Sequence, residues 1–207
     1  PRRPLRPPRS RFGETGPRSD QLDKKPIPPL APGDIRIIPL GGVEEIGKNM
    51  TAIEMGGDIM VIDIGFAFPD ENTPGVDFII PDTTYLEANR ARVKGVVITH
   101  GHLDHTGGIS YVMPKIGNPP LYTRNLTALM IKKRQEEFPH LPPLDIVVVE
   151  KEERVKIGNF RVHFFGVTHT IPDSMGVIIE TPYGRIVNPG DYKLDLDAVN
   201  GKPTEAE

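Results

Sequence analysis

The sequence predicts an α/β fold built on a mixed sheet, and three observations carry that prediction. Short apolar runs separated by turn residues recur through residues 35–64 and again through 146–188, the spacing of strands. A β-branched, largely apolar run at residues 93–99 suits a strand covered on both faces. Directly after it, Ile109, Val112, Met113 and Ile116 fall at i, i+3, i+4 and i+7, one face of a helix.

Residues 35–40, 51–55 and 59–64 read as an opening meander, with Gly56-Gly57-Asp58 turning the hairpin between the last two. The strand at 93–99 comes next, then the helix through Ile116. Pro114 bends that helix or ends it early, because its ring clashes with the preceding turn and it has no N–H to donate. A second helix is expected over residues 124–138, with Leu126, Leu129 and Met130 turned inward. Its Lys132, Lys133 and Arg134 lie where a helix C-terminus favours cations, and read as a solvated face. Strands resume at 146–149, 154–157, 160–165, 176–181 and 185–188. The sequence shows no internal repeat.

Composition narrows the function classes. A chain of 207 residues can bury a core, and 37% hydrophobic with 26% charged residues is ordinary for a soluble protein. With no cysteine, a disulfide scaffold and a thiolate metal site are both excluded, and a reducing cytoplasm suits the chain. No apolar run approaches the roughly 18 residues of a membrane span, and no apolar segment of a secretory signal follows the opening Pro-Arg-Arg. A net charge of −3 gives no overall pull toward nucleic acid, so such a partner must be argued locally. Residues 1–33 hold nine of the 23 prolines, and the first twelve carry five arginines and no acid. That stretch reads as a disordered, basic Pro/Arg-rich tail, a solvated linker or a phosphate tether, ahead of one domain at 34–207.

The chemistry is concentrated in Thr99-His100-Gly101-His102-Leu103-Asp104-His105, where the buried strand gives way to the helix. Four potential ligands fall within six residues, in a chain with only six histidines. Gly101 relieves backbone crowding, so the loop can turn these side chains toward one point. Imidazole with carboxylate suits zinc, or manganese as a harder alternative. His169 and Asp191 each lie just past a strand end, where loop residues converge on one edge of a sheet. Taken singly, they would pass for a surface histidine and a turn former.

The order Asp63-Ile64-Gly65, His100 to His105, His169 and Asp191 resembles the first four motifs of the metallo-β-lactamase superfamily. The flanking text narrows the resemblance: Leu40-Gly41-Gly42-Val43-Glu44-Glu45-Ile46-Gly47-Lys48-Asn49, Gly65-Phe66-Ala67-Phe68-Pro69-Asp70 and Pro74-Gly75-Val76-Asp77. With His169-Thr170-Ile171-Pro172-Asp173-Ser174 and Gly190-Asp191-Tyr192-Lys193, these segments are similar to ribonuclease J, of the β-CASP branch. The resemblance misses only the tail.

It implies a metallo-β-lactamase αββα sandwich, of which residues 34–207 are the first half. It also implies two divalent cations, zinc first, with manganese or magnesium as alternatives. His100, His102 and His169 would hold one ion, Asp104 and His105 the other, and Asp191 would bridge them. Asp104 and His105 are thus the catalytic candidates, and Asp63 supports the ligand loop without binding metal. Thr170 and Ser174 are candidate phosphate contacts, or else cap their own turn. Gly41-Gly42 makes a tight turn or a close approach to the cleft, while Phe66, Phe68 and Tyr85 read as core packing ahead of base stacking.

The implied function is a two-metal phosphodiesterase: a cytoplasmic ribonuclease with 5′-to-3′ exonuclease and endonuclease action in RNA maturation and decay. Its substrate would be RNA, preferably 5′-monophosphorylated, and the full-length protein would be a dimer or tetramer with no membrane partner. Two cations about 3.5–4 Å apart can clamp the attacking and leaving oxygens of a phosphoryl displacement. Two alternatives are another hydrolase of this fold, acting on thioesters or lactams, and a non-catalytic RNA-binding scaffold of a degradation complex. The flanking segments argue against the first and the intact ligand set against the second. The resemblance further implies that the β-CASP insertion, the returning half of the domain and a last histidine ligand belong to a longer polypeptide. These 207 residues alone are therefore expected to associate through an exposed apolar face and to be weakly active or inactive.

Overall fold

A computed structural model describes residues 27–71 and 73–195, so most of the tail expected at 1–33 lies outside the described residues. The end of that stretch is not loose. The Pro28 carbonyl accepts a 2.6 Å hydrogen bond from Arg36, and the Gly33 carbonyl one of 2.9 Å from the Tyr183 hydroxyl.

β1 (Ile35–Gly41), β2 (Met50–Met55) and β3 (Asp58–Ile62) form the expected meander. Gly56 and Gly57, at φ of 60° and 89°, make the two-residue turn between the last two strands, a conformation that matches the twist of a hairpin. The chain then crosses over to parallel strands, β4 (Val93–Val97), β5 (Leu121–Thr123) and β6 (Ile146–Val148). The six strands lie in sequence order in one mixed sheet. A second, antiparallel sheet holds β7 (Arg154–Ile157), β8 (Phe160–Gly166), β9 (Met175–Thr181) and β10 (Gly184–Asn188) in the order β10-β9-β8-β7.

Alternation along the strands builds two cores. Ala52, Ile59, Val61, Val96 and Ile98 face the helices α1 (Thr84–Ala88), α2 (Leu103–Thr106), α3 (Ile109–Val112) and α4 (Asn125–Gln135). Ile53, Met60, Ile62 and Val97 face the second sheet, meeting Phe160, Val162, Phe164 and Val177. The result is helices on sheet on sheet, three layers of the sandwich. Ile109, Val112, Met113 and Ile116 are all buried, and α3 stops two residues before Pro114, as the sequence predicts.

Three expectations are corrected. Helix α4 buries Thr127, Ala128 and Ile131, leaving Leu129 and Met130 exposed and Leu126 half-buried. Small side chains at 127 and 128 let the helix lie close to its neighbours, which bulky leucines would prevent. Arg134 does not join Lys132 and Lys133 in solvent; its guanidinium carbon lies 5.8 Å from the Phe66 ring centre. Phe66 is buried as expected, but Phe68 is 68% exposed and stands edge-on to it. Tyr85 is half-buried, its hydroxyl donating to Glu54. Three elements escaped the sequence altogether: α1, a 3-10 turn at Arg90–Arg92 and β5, five, three and three residues long, are too short to display a period.

Candidate metal centre

The loops that leave β3 and β4 meet at the C-terminal ends of the parallel strands, where ligands of open α/β sheets gather. The chain following β8 and the segment following β10 join them from the second sheet. Backbone hydrogen bonds lock these loops together: Asp63 N–H to Val97 O at 2.8 Å, Ile64 N–H to His105 O at 2.9 Å, Asn49 N–H to Asp104 O at 3.0 Å and Met175 N–H to Thr99 O at 3.0 Å. Gly65 sits at the closest approach, where an added Cβ would fall 1.6 Å from the Asp104 carbonyl oxygen.

Asp63 organises the ligand loop from beneath. It holds a left-handed backbone, φ 60°, and its carboxylate is buried. Oδ1 accepts the Thr99 N–H at 2.8 Å; Oδ2 lies 2.9 Å from Thr99 Oγ1 and 2.8 Å from His105 Nδ1. Thr99 Oγ1 is in turn 3.0 Å from His100 Nδ1. With their Nδ1 atoms engaged, His100 and His105 both present Nε2 to the site, the arrangement by which outer groups set the orientation of metal-binding histidines.

Five of the six candidate ligands fall into two close sets, and Asp104 adjoins the second through His105. His100 Nε2 and His169 Nε2 lie 3.0 and 3.1 Å from His102 Nδ1. Two nitrogens each 2.0–2.1 Å from a tetrahedral ion stand about 3.4 Å apart, so this trio suits one cation. His105 Nε2 lies 3.3 Å from Asp191 Oδ1 and 3.6 Å from Asp104 Oδ2. The second Asp191 oxygen points the other way, 3.8 Å from His169 Nε2. His100, His102 and His169 thus form one set of ligand atoms, and His100, His105 and Asp191 a second, each within 4.8 Å. Asp191 turns one oxygen toward each set.

Burial and neighbours divide the histidines. Burial, aided by the charge on His105, His169 and His102, pushes His100 down to about 2, so it stays neutral and ready to donate a lone pair. Burial also opposes charge on His105, but Asp63, then Asp104 and Asp191, outweigh it and raise this group to about 9. His169 is lowered, chiefly by burial, against the pull of Asp191.

Sequence reasoning missed Asn49. Its Nδ2 lies 3.3 Å from Asp104 Oδ2 and 3.1 Å from His105 Nε2, tying the opening meander to the second ligand set. Only its place in the quoted Gly47-Lys48-Asn49 segment pointed to it. Asp173 was also passed over: at φ 66° it accepts from Arg124 at 2.9 Å and from the Leu126 N–H at 3.1 Å, anchoring the start of α4 to the His169 loop. Ser174 is buried and donates to the Ile171 carbonyl at 2.9 Å, while Thr170 is exposed beside His169.

The profile of the metallo-beta-lactamase superfamily matches residues 44–202. The chain is 42% identical over 174 residues to ribonuclease J of Thermus thermophilus, covering 81% of this chain and 30% of that protein. It is 39% identical over 169 residues to ribonuclease J of a Synechocystis strain, covering 81% and 26%, and 37% identical over 188 residues to that of Corynebacterium glutamicum, covering 90% and 26%. The chain therefore spans less than a third of the length of these curated relatives. Among solved structures, a protein of unknown function from Enterococcus faecalis V583 superposes with a TM-score of 0.62 at 20% identity, covering 76% of this chain and 43% of that one. At that identity the likeness speaks for the fold alone.

Proposed function

From the premise that the chain belongs to the metallo-β-lactamase superfamily, we propose that it is the metal-binding part of a ribonuclease that hydrolyses RNA phosphodiester bonds. The observation that carries the reading is the convergence of His100, His102, His169, His105 and Asp191 into two adjoining ligand sets. The identity to ribonucleases J supplies the substrate class.

The donor set, imidazoles with carboxylates, fits two divalent cations, zinc first, with manganese or magnesium as alternatives. Such ions supply Lewis acidity, make hydroxide available near neutral pH and offset phosphate charge. The chain's own residues do the positioning. His100, His102 and His169 would hold one ion, His105 and Asp104 the other, with Asp191 between them. Asp63 and Thr99 orient the imidazoles of His100 and His105 so that their Nε2 atoms face the site. Asp104, a third exposed, is steadied by Asn49 and would orient the attacking water through its remaining lone pairs. The finer reading extends the motif resemblance to ribonuclease J: 5′-to-3′ exonuclease and endonuclease action on 5′-monophosphorylated RNA, in RNA maturation and decay. A cytoplasmic setting and assembly of the full-length protein into dimers or tetramers belong to the same reading. Among the described residues no helix is long and apolar enough to cross a membrane.

The test incubates full-length protein with 5′-monophosphorylated and 5′-triphosphorylated RNA, with and without chelator. Mononucleotides released from the monophosphate substrate alone, and only without chelator, are the expected result. RNA binding with no hydrolysis under any metal condition would overturn the reading in favour of a scaffold.

A further inference from the structure

We propose that the cleft between α2–α3 and α4 is a nucleotide subsite, which receives one unpaired residue of the RNA strand beside the bond being cut. The inference rests on the ribonuclease reading. The cleft measures about 310 Å³ and is walled by Leu103, Ile109, Met130 and Ile131, with Arg134 among its lining residues. Its lining residues Gly101 and Leu103 belong to the run that carries His100, His102 and Asp104, so the cleft adjoins the metal centre. A strand held at those residues would therefore run beside the cleft. That volume is at the lower end for small-molecule sites, which admits a single base and excludes a duplex. Leu103 and Met130 remain 37% and 39% exposed, apolar flanks that a base would cover.

Arg134 supplies the charge. Among the described residues no carboxylate pairs with it, whereas Arg36, Arg92 and Arg124 all sit in ion pairs. Its Nε is buried without a hydrogen-bond partner, and its guanidinium is held over Phe66. A half-buried guanidinium lacking a counter-ion, in the lining of an apolar cleft, matches a phosphate with its planar fork of donors. Phe68, edge-on to the same Phe66 ring at 5.0 Å and largely exposed, adds a face for a neighbouring base. Apolar slot, stacking ring and cation are the elements by which single strands are bound.

The test measures binding of a short, unstructured, 3′-fluorescein RNA to full-length protein by anisotropy, with chelator present to stop hydrolysis. Arg134→Gln should weaken binding roughly tenfold and lower the salt slope by about 0.7, the loss of one phosphate contact to a single strand. In parallel, RNA carrying 4-thiouridine is cross-linked to the wild type, and the adducts should map to the α2 and α4 peptides. Unchanged affinity and slope, with adducts elsewhere, in a wild type that still cleaves RNA would overturn the subsite alone. A variant that melts earlier without RNA yet binds RNA normally would also overturn it, assigning the cleft to another part of the polypeptide. A wild type that neither binds nor cleaves RNA would defeat the ribonuclease reading with it.

Discussion

Oδ2 of Asp63 lies 2.8 Å from Nδ1 of His105, and both side chains are sealed from solvent. Through Thr99 the same carboxylate also reaches His100, so one acid aims an imidazole of each ligand set. This pairing lets the site's behaviour be tested without touching a candidate ligand.

Asp63→Asn keeps the shape of the side chain and removes its charge. Metal affinity should fall 10–100-fold, the usual consequence of losing an outer partner of a ligating histidine. Competition against a chromogenic chelator reads this directly, and an unchanged affinity would refute the supporting role.

The raised His105 predicts a pH dependence. A group whose pKa rises on folding, here to about 9, stabilises the metal-free fold below its ordinary value of about 6.5. That contribution is lost as pH climbs through about 9, so the chelator-treated protein should melt progressively earlier across roughly pH 6.5 to 9. A cation must also displace this proton. Calorimetric titrations in buffers of different ionisation heat should show proton release at pH 7, and Asp63→Asn should reduce it.

Glu54 behaves in the opposite sense. Burial raises its carboxyl, but the Tyr85 hydroxyl and the Arg92 and Arg36 guanidiniums more than offset this and hold it below the usual range. Its stabilisation is present above the ordinary carboxylate value of about 4.3 and disappears as pH falls through the lower, folded value. Glu54→Gln should therefore melt earlier than wild type at neutral pH, with the two converging in acid. Parallel curves at every pH would rule out the ionic contribution.

Gly65→Ala would drive a methyl group into the Asp104 carbonyl oxygen. The ligand loop must shift, at a cost of about 1–3 kcal/mol for overpacking. Denaturant unfolding should report that loss, and metal content should fall with it. A variant of full stability and metal content would contradict the close approach.

His102→Ala removes the nitrogen that both His100 and His169 approach. Elemental analysis should find about two ions per full-length wild-type chain and about one in the variant. Two ions retained would show that this trio does not hold a cation.

Much of the fold was legible because it rests on local pattern. The Gly56-Gly57 hairpin, the β-branched run into β4 and the buried face through Ile116 each announce themselves within a few residues. Helix α4 was misjudged because its outward Leu129 and Met130 are more apolar than its inward Thr127 and Ala128. Hydrophobicity reports what a side chain prefers, whereas close packing decides which side chain fits.

The sequence by itself determined the candidate ligands, since His-x-His-x-Asp-His spacing with His169 and Asp191 is a chemical inventory that can be read without coordinates. Only the tertiary structure decided how they are held. Asn49 lies 55 residues from Asp104 in sequence and 3.3 Å from it in space, and the cation of Arg134 is turned onto Phe66. Hydrogen bonds and packing of this kind depend on which distant segments the two sheets bring together, and no local pattern encodes that meeting.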